Sequence, residues 1–110
     1  MKKTSITIAI LLAVSFTAAP GFCTVKNTEK IDGKKAFEKH CAVCHPNGGN
    51  IINPKKPLNA KSLKENKVAG VKNIIATIRK PGPGMTLFDE KTISNKQAQA
   101  IAEYIIKTYK

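Results

Sequence analysis

Apolar residues recur at helical spacing in the middle of the chain. Between residues 71 and 80 they occupy positions i, i+3, i+4 and i+7, the pattern of an amphipathic helix that packs one face against a core. The four residues are Val71, Ile74, Ile75 and Ile78. Pro81 cannot continue a helix and disfavours helical geometry in the residue before it, so we predict that this helix ends at Lys80.

A second apolar stripe predicts a helix near the end of the printed sequence. Ser94 followed by Gln97 is a capping-box signature, which marks the start of a helix. The stripe behind it consists of Ala98, Ile101, Ala102, Ile105 and Tyr109. Because these residues again follow helical spacing, we predict a final helix that begins after Ser94.

Two shorter helices are predicted from their capping residues. Asp32 is a suitable N-cap for a first helix from Gly33 to about His40. A further short helix is predicted to start at Asn59 or at Ser62, since both residue types favour the N-cap position.

The remaining segments are predicted to be loops. Residues 46–57 and 81–85 are rich in proline, glycine and asparagine, which discourage regular structure. No segment alternates apolar and polar residues with a period of two. The predicted fold class is therefore all-α.

The N-terminal end has the three-part pattern of a secretory signal peptide. A basic start at Lys2 and Lys3 precedes an apolar run from Ile6 to Val14, and small residues follow. The run is shorter than the ~20 residues that a permanent membrane anchor needs. We predict a signal peptide over residues 1–23 and a single domain over residues 24–110.

The cleavage position has two candidates. Ala19 and Gly21 fit the small-residue pattern for a cut before Phe22, and a cut after Cys23 also fits. Lipid modification of Cys23 is disfavoured because the bulky Phe22 stands where such sites need a small residue.

The pattern for covalent haem attachment occurs once, at Cys41-Ala42-Val43-Cys44-His45. Two thiols three positions apart can each add to one vinyl group of a porphyrin, and the histidine that follows then lies beneath the iron as an axial ligand. A porphyrin also supplies apolar surface to a domain too small to build a large core. The predicted cofactor is one haem c per chain, held by Cys41, Cys44 and His45.

Two other kinds of site use a pair of cysteines at this spacing. A thioredoxin-like redox motif is expected beside a βαβ unit, and the sequence has no such pattern. A zinc site needs four ligands. The only candidates are Cys41, Cys44, His45 and His40. Because His40 directly adjoins Cys41, such a site would be crowded, and haem attachment is the favoured interpretation.

Met85 is the predicted sixth ligand of the iron. It is the only methionine apart from the initiator, and it lies 40 residues after His45 in a Pro/Gly loop. A thioether is a soft ligand that suits haem iron, and His/Met ligation raises the reduction potential. The alternatives are that Met85 fills a gap in the core, or that a lysine binds the iron. His40 is predicted to face solvent at the end of the first helix.

The chain is strongly basic, with a formal charge of +12. Such a field favours acidic partners and speeds up their encounter. Nucleic acid is disfavoured as a partner because of the export signal. In addition, Arg79 is the only arginine, and arginine is the residue type on which phosphate and base recognition depend most. We therefore expect redox protein partners with acidic docking surfaces.

Taken together, these motifs resemble class I cytochrome c, and in particular the small soluble monohaem type that algae and cyanobacteria use in place of plastocyanin. The matching stretches are Gly33–Phe37, Cys41–His45, Gly48–Ile52, Met85–Phe88 and Ala102–Ile105. The resemblance implies three to five short helices around one haem. It also implies that the first and last helices cross at Gly33, Phe37 and Tyr104.

Two further expectations come from the same resemblance. A backbone carbonyl near Pro54 is expected to accept the N–H of the haem-binding histidine and to fix its orientation. At Thr86 the chain departs from the family, in which a proline often follows the ligand methionine. The loop is stiffened instead by Pro81 and Pro83, which precede Met85.

The combined prediction is a single-electron carrier rather than an enzyme. We expect a periplasmic or otherwise exported monomer with no stable membrane insertion after the signal peptide is removed. A second hypothesis is an enzyme or gas sensor with an open iron site, which applies if Met85 does not bind. A third is a thiol redox or zinc protein without haem.

Overall fold

In a computed structural model, which describes Gly21 and residues 29–110, the described chain forms four α-helices and no strand. The helices are α1 (Gly33–His40), α2 (Ala60–Glu65), α3 (Val71–Arg79) and α4 (Asn95–Thr108), and a 3₁₀ turn (Pro46–Gly48) follows α1. The all-α prediction is confirmed. The predicted signal peptide, residues 1–23, lies outside the described residues except for Gly21.

Side-chain caps determine where three of the helices begin. Asp32 accepts hydrogen bonds from two backbone N–H groups in the first turn of α1, at 3.0 and 3.2 Å. Asn59 accepts the N–H of Ser62 at 2.8 Å, which selects Asn59 as the cap of α2. Ser94 and Gln97 make both hydrogen bonds of the predicted capping box at α4, at 3.2 and 3.0 Å. Each cap satisfies backbone donors that a helix start leaves unpaired.

The first and last helices cross at Gly33. A Cβ atom there would collide with the backbone carbonyl of Ala100, so a glycine is needed for the two backbones to approach this closely. Below the crossing, the ring of Phe37 is 2% exposed. Its centroid lies 5.3 Å from the ring of Tyr104 and 5.8 Å from that of Tyr109. The crossing implied by the resemblance is therefore present.

The buried core lies where α1, α3 and α4 meet. Ile74 and Ile78 of the predicted α3 stripe are buried, and its other two members are partly buried against the same cluster. Ile93 and Ile101 are 0% exposed and bring the start of α4 into that core. Among the described residues, no helix combines the length and the apolar character needed to cross a bilayer.

The loop over residues 46–58 is organised by one asparagine side chain. Asn50 accepts hydrogen bonds from the N–H groups two and three residues ahead, at 3.1 and 2.9 Å, and donates to the carbonyl of Lys56 at 3.1 Å. The N–H of Leu58 donates to the carbonyl of Gly48 at 2.7 Å. Asparagine favours such local turns. The residue type at position 50 therefore indicates this role, whereas helical spacing does not.

Candidate functional site

The helices and two loops enclose a cavity of about 420 Å³. Four of the residues predicted for haem binding line it: Cys41, Cys44, His45 and Met85. Much of the remaining wall is apolar, with Leu63, Ile74, Ile78, Phe88 and Ile101 among its members. Pro54, the fifth predicted residue, is exposed and does not line the cavity.

The cysteine motif continues the last turn of α1. The N–H of Cys41 donates to the carbonyl of Phe37 at 2.8 Å, and the N–H groups of Cys44 and His45 donate to the carbonyl of Cys41 at 3.1 and 2.9 Å. These turns bring both thiols to one cavity. Both are free, with Cys41 buried and Cys44 partly buried.

The chemistry of Cys41 bears on the alternatives to haem. Burial raises the pKa of the Cys41 thiol to about 11. A thiol–disulfide redox motif works through the thiolate at neutral pH, and this environment disfavours that form. Among the residues that the structure describes, no three or more His, Cys, Asp or Glu side chains form a group that could hold a metal ion.

His45 is oriented by a backbone carbonyl close to it in sequence. Its Nδ1 lies 2.8 Å from the carbonyl oxygen of Gly49. With the proton on Nδ1, this hydrogen bond leaves Nε2 as the nitrogen that can bind a metal. The expected carbonyl near Pro54 is thus replaced by that of Gly49, because the turn at Pro46–Gly48 returns the backbone to the histidine within four residues.

Met85 reaches the cavity from the loop between α3 and α4. Its side chain is partly buried and packs against the core cluster. Gly84, directly before it, has φ +86°, a left-handed conformation that glycine adopts without strain. A Cβ atom on Gly84 would lie 2.8 Å from Cγ2 of Ile52. The Met85 loop and the loop over residues 46–58 therefore meet at this point of the cavity wall.

The prediction that His40 faces solvent is wrong. Its side chain lines the cavity, and its ring meets Phe88 edge-on at 6.1 Å. Its Nε2 is buried and has no hydrogen-bond partner among the described residues. Desolvation lowers the pKa of His40, and the charge of Lys39 adds to the effect. The helical period was the missed signal, since His40 lies three residues after the buried Phe37 and so shares its face.

The residues present fit a covalently bound iron porphyrin. Two free thiols one turn apart, an imidazole with one nitrogen fixed, and a thioether all line one cavity. An imidazole and a thioether are the axial ligand pair of haem iron in cytochromes c. The apolar side chains of the wall suit the faces of a porphyrin.

Comparison with known proteins gives consistent matches. The family model described as cytochrome c oxidase, cbb3-type, subunit III matches residues 29–105. A cytochrome c6-like protein of Nostoc sp. is 30% identical, over 91% of this chain and 86% of the relative. Cytochrome c6 of Thermosynechococcus vestitus is 31% identical, over 96% of this chain and 92% of the relative.

Solved structures match at the level of the fold and of the sequence. The outer membrane cytochrome OmcF of Geobacter sulfurreducens aligns with a TM-score of 0.69 and 40% identity, over 71% of this chain and 99% of that chain. Cytochrome c6C of Synechococcus sp. aligns with a TM-score of 0.66 and 29% identity, over 72% of this chain and 95% of that chain. The family match over residues 29–105 includes every residue that lines the cavity.

Proposed function

This chain belongs to the class I cytochromes c, within the family whose model is described as cytochrome c oxidase, cbb3-type, subunit III, and on that premise we propose that it is an exported single-electron carrier with His/Met-ligated haem. As a member, it carries one c-type haem with iron and transfers electrons, in agreement with the prediction that it is not an enzyme. Under the proposal, Cys41 and Cys44 form the thioether bonds, and His45 and Met85 bind the iron.

The observation that carries the proposal is the single cavity that these four side chains line. When bound, the haem supplies one-electron chemistry through its iron. The carbonyl of Gly49 holds the imidazole of His45 in one orientation. The buried side chains of Leu63, Ile74 and Ile78 exclude water from the cavity, which favours the iron state of lower charge. Together with a thioether ligand, this environment raises the reduction potential.

Docking to acidic partners is the second part of the proposal. Lys56 and Lys80 line the cavity and are exposed, and no Asp or Glu is among the described residues of the wall. Lys2 and Lys3 belong to the predicted signal peptide, so the formal charge of +12 becomes +10 after its removal. With that charge on the rest of the chain, this rim attracts anionic surfaces and speeds encounter. Contacts of this kind are small and short-lived in electron-transfer complexes.

The test of the haem site is the optical spectrum of the purified, exported protein in both oxidation states. We expect a sharp reduced c-type spectrum, together with the weak far-red band that reports sulfur bound to ferric haem. Met85→Ala should abolish the band and let the ferrous protein bind carbon monoxide. Ile106→Ala, which truncates an exposed side chain of α4 that does not line the cavity, is the control and should leave both properties unchanged.

Each other outcome contradicts a different part of the proposal. A c-type spectrum without the far-red band in the wild type would exclude Met85 as the ligand. If the resting ferrous wild type also bound carbon monoxide, the open-iron hypothesis would replace it. A colourless protein made alongside haem-attachment machinery would contradict the haem site altogether.

Export and docking need their own measurements. The mass of the protein from the periplasmic fraction should correspond to a chain that begins near residue 22 or 24 and carries one haem. The rate of reduction by an anionic redox partner should fall as salt rises, and Lys80→Gln should reduce the slope more than Lys107→Gln, whose side chain lies beside the α1–α4 crossing. A rate independent of salt would exclude electrostatic steering.

A further inference from the structure

The only arginine of the chain connects three elements around the Met85 loop. Arg79 is the last residue of α3. Its Nη1 donates to the carbonyls of Phe88 and Asp89 at 3.0 and 3.1 Å, and its Nη2 donates to Oδ1 of Asn95 at 2.8 Å. One guanidinium thus joins the end of α3, the far end of the loop and the first residue of α4.

These contacts close the Met85 loop at its base. The N–H of Phe88 donates to the carbonyl of Ile78 at 3.2 Å, while its carbonyl accepts from Arg79. Both backbone polar groups of Phe88 are therefore bound to consecutive residues of α3. Met85 lies three residues before this closure, so this short stretch of backbone limits how far it can move from the base of the loop.

The loop has few backbone hydrogen bonds of its own. Within residues 81–87 the structure describes one backbone hydrogen bond between loop residues, from the N–H of Met85 to the carbonyl of Gly82. Its N···O distance of 3.4 Å is long for such a bond. Thr86 is exposed and stands where the family often has a stiffening proline. The backbone after Met85 therefore lacks that restraint, and the contacts of Arg79 lie just beyond it.

We propose that Arg79 is the positioning residue that keeps the sulfur of Met85 within reach of the iron. The inference rests on the His/Met ligation proposed above. It depends on the shape of the side chain as well as its charge, because a planar guanidinium presents several N–H donors in a fixed fork. The ammonium of a lysine cannot serve both carbonyls and Asn95 with that geometry.

The test is a pH titration of the far-red band in the full, haem-loaded ferric protein. Arg79→Lys keeps the charge and Arg79→Gln removes it, while Lys72→Gln removes an exposed charge from the same helix as a control. As the pH is raised, we expect both Arg79 variants to lose the band at a lower pH than the wild type does. At a given pH the ratio of sulfur-free to sulfur-bound protein should rise about tenfold, which is ~1.4 kcal/mol. The control should titrate like the wild type.

A second readout separates positioning from general stability. Weaker ligation by Met85 should lower the reduction potential of the Arg79 variants, because His/Met ligation raises it. Asn95→Ala removes only the hydrogen bond to α4, so this variant should fold even if an Arg79 variant does not. We expect its ratio of sulfur-free to sulfur-bound protein to rise about threefold at a given pH.

Failure of this inference can be told apart from failure of the ligation on which it rests. A wild type without the far-red band would overturn the ligation by Met85 and the inference with it. A normal wild type whose Arg79 and Asn95 variants keep both the titration and the potential would overturn the inference alone. If the Arg79 variants showed only a lower melting temperature, with the titration and the potential unchanged, the inference alone would likewise be overturned.

Discussion

The α1–α4 crossing and the Met85 loop border the same cavity but are held by different forces. The cysteine motif follows directly from α1, whose packing on α4 depends on Gly33 and the buried ring of Phe37. The Met85 loop is mostly exposed and is closed by hydrogen bonds of Arg79. Apolar packing resists local opening, whereas each hydrogen bond in contact with water contributes only about 1 kcal/mol net. We therefore expect the sulfur side of the site to open before the histidine side does.

The largest effect should come from removing the ring at the crossing. Phe37→Ala leaves a cavity beneath two tyrosine rings and should lower the free energy of unfolding by ~3–5 kcal/mol. Denaturant titration measures this change. Val43→Ala truncates a side chain that is 78% exposed and should cost less than about 0.5 kcal/mol. A loss from Phe37→Ala no larger than that of the control would show that the crossing does not carry the stability.

The next effect tests how tightly the two backbones approach. Gly33→Ala places a Cβ atom against the carbonyl of Ala100, so the helices must move apart, and we expect a loss of ~1–3 kcal/mol. Gly82→Ala is the matched control because nothing lies within 4 Å of its Cβ position. Equal unfolding free energies for these two variants would mean that the crossing adapts without cost.

A substitution in the loop should act on ligation more than on folding. Gly84→Ala forces a left-handed backbone on alanine, at a cost of ~1–2 kcal/mol, and presses against Ile52. As the pH is raised, we expect the far-red band of this variant to disappear at a lower pH than that of the wild type, well before the protein unfolds. Gly70→Ala also forces a positive φ, +92°, on alanine but meets nothing within 4 Å, so it should lower stability and leave the band in place. Identical behaviour of the two variants would contradict a special role for the loop.

The contrast between the two regions also decides what the sequence could predict. The starts of α1 and α4 follow from local signals at Asp32, Ser94 and Gln97, and the structure has all of them. The crossing was implied by a resemblance whose residues lie in regular helices. The gathering of Cys41 and His45 follows from the same helical turn.

Features set by irregular backbone or by distant contacts were not predicted. The partner of His45 depends on the left-handed backbone of Asn47 and Gly48, at φ 52° and 76°. An Asn-Gly pair indicates a turn, but it does not indicate which carbonyl the turn brings to the imidazole. The partners of Arg79 lie 9 to 16 residues away, beyond the range of capping or helical-spacing rules. His40 was misplaced because its adjacency to the motif outweighed its position on the buried face of α1.

That misplaced histidine gives the smallest effect and links the two regions, since His40 ends α1 and its ring contacts Phe88. Desolvation, together with Lys39, lowers its pKa from the ordinary value of 6.5. Between about pH 6.5 and the lowered pKa, the unfolded chain therefore binds a proton that the folded protein does not. The stability of the wild type should fall as the pH drops from about 7 toward the lowered pKa, and should then level off.

His40→Gln should remove this pH-dependent part, and every other titratable group is the same in both proteins. The measurement is the free energy of unfolding of each holoprotein at several pH values between 7.5 and 5. We expect the difference between wild type and variant to shift in favour of the variant as the pH falls. Lys39→Gln, which removes the nearby positive charge but not the burial, should weaken the slope only slightly because desolvation is the larger cause. Parallel curves for wild type and His40→Gln would mean that the His40 side chain is hydrated in the holoprotein, and that the contact between α1 and Phe88 is looser than the structure has it.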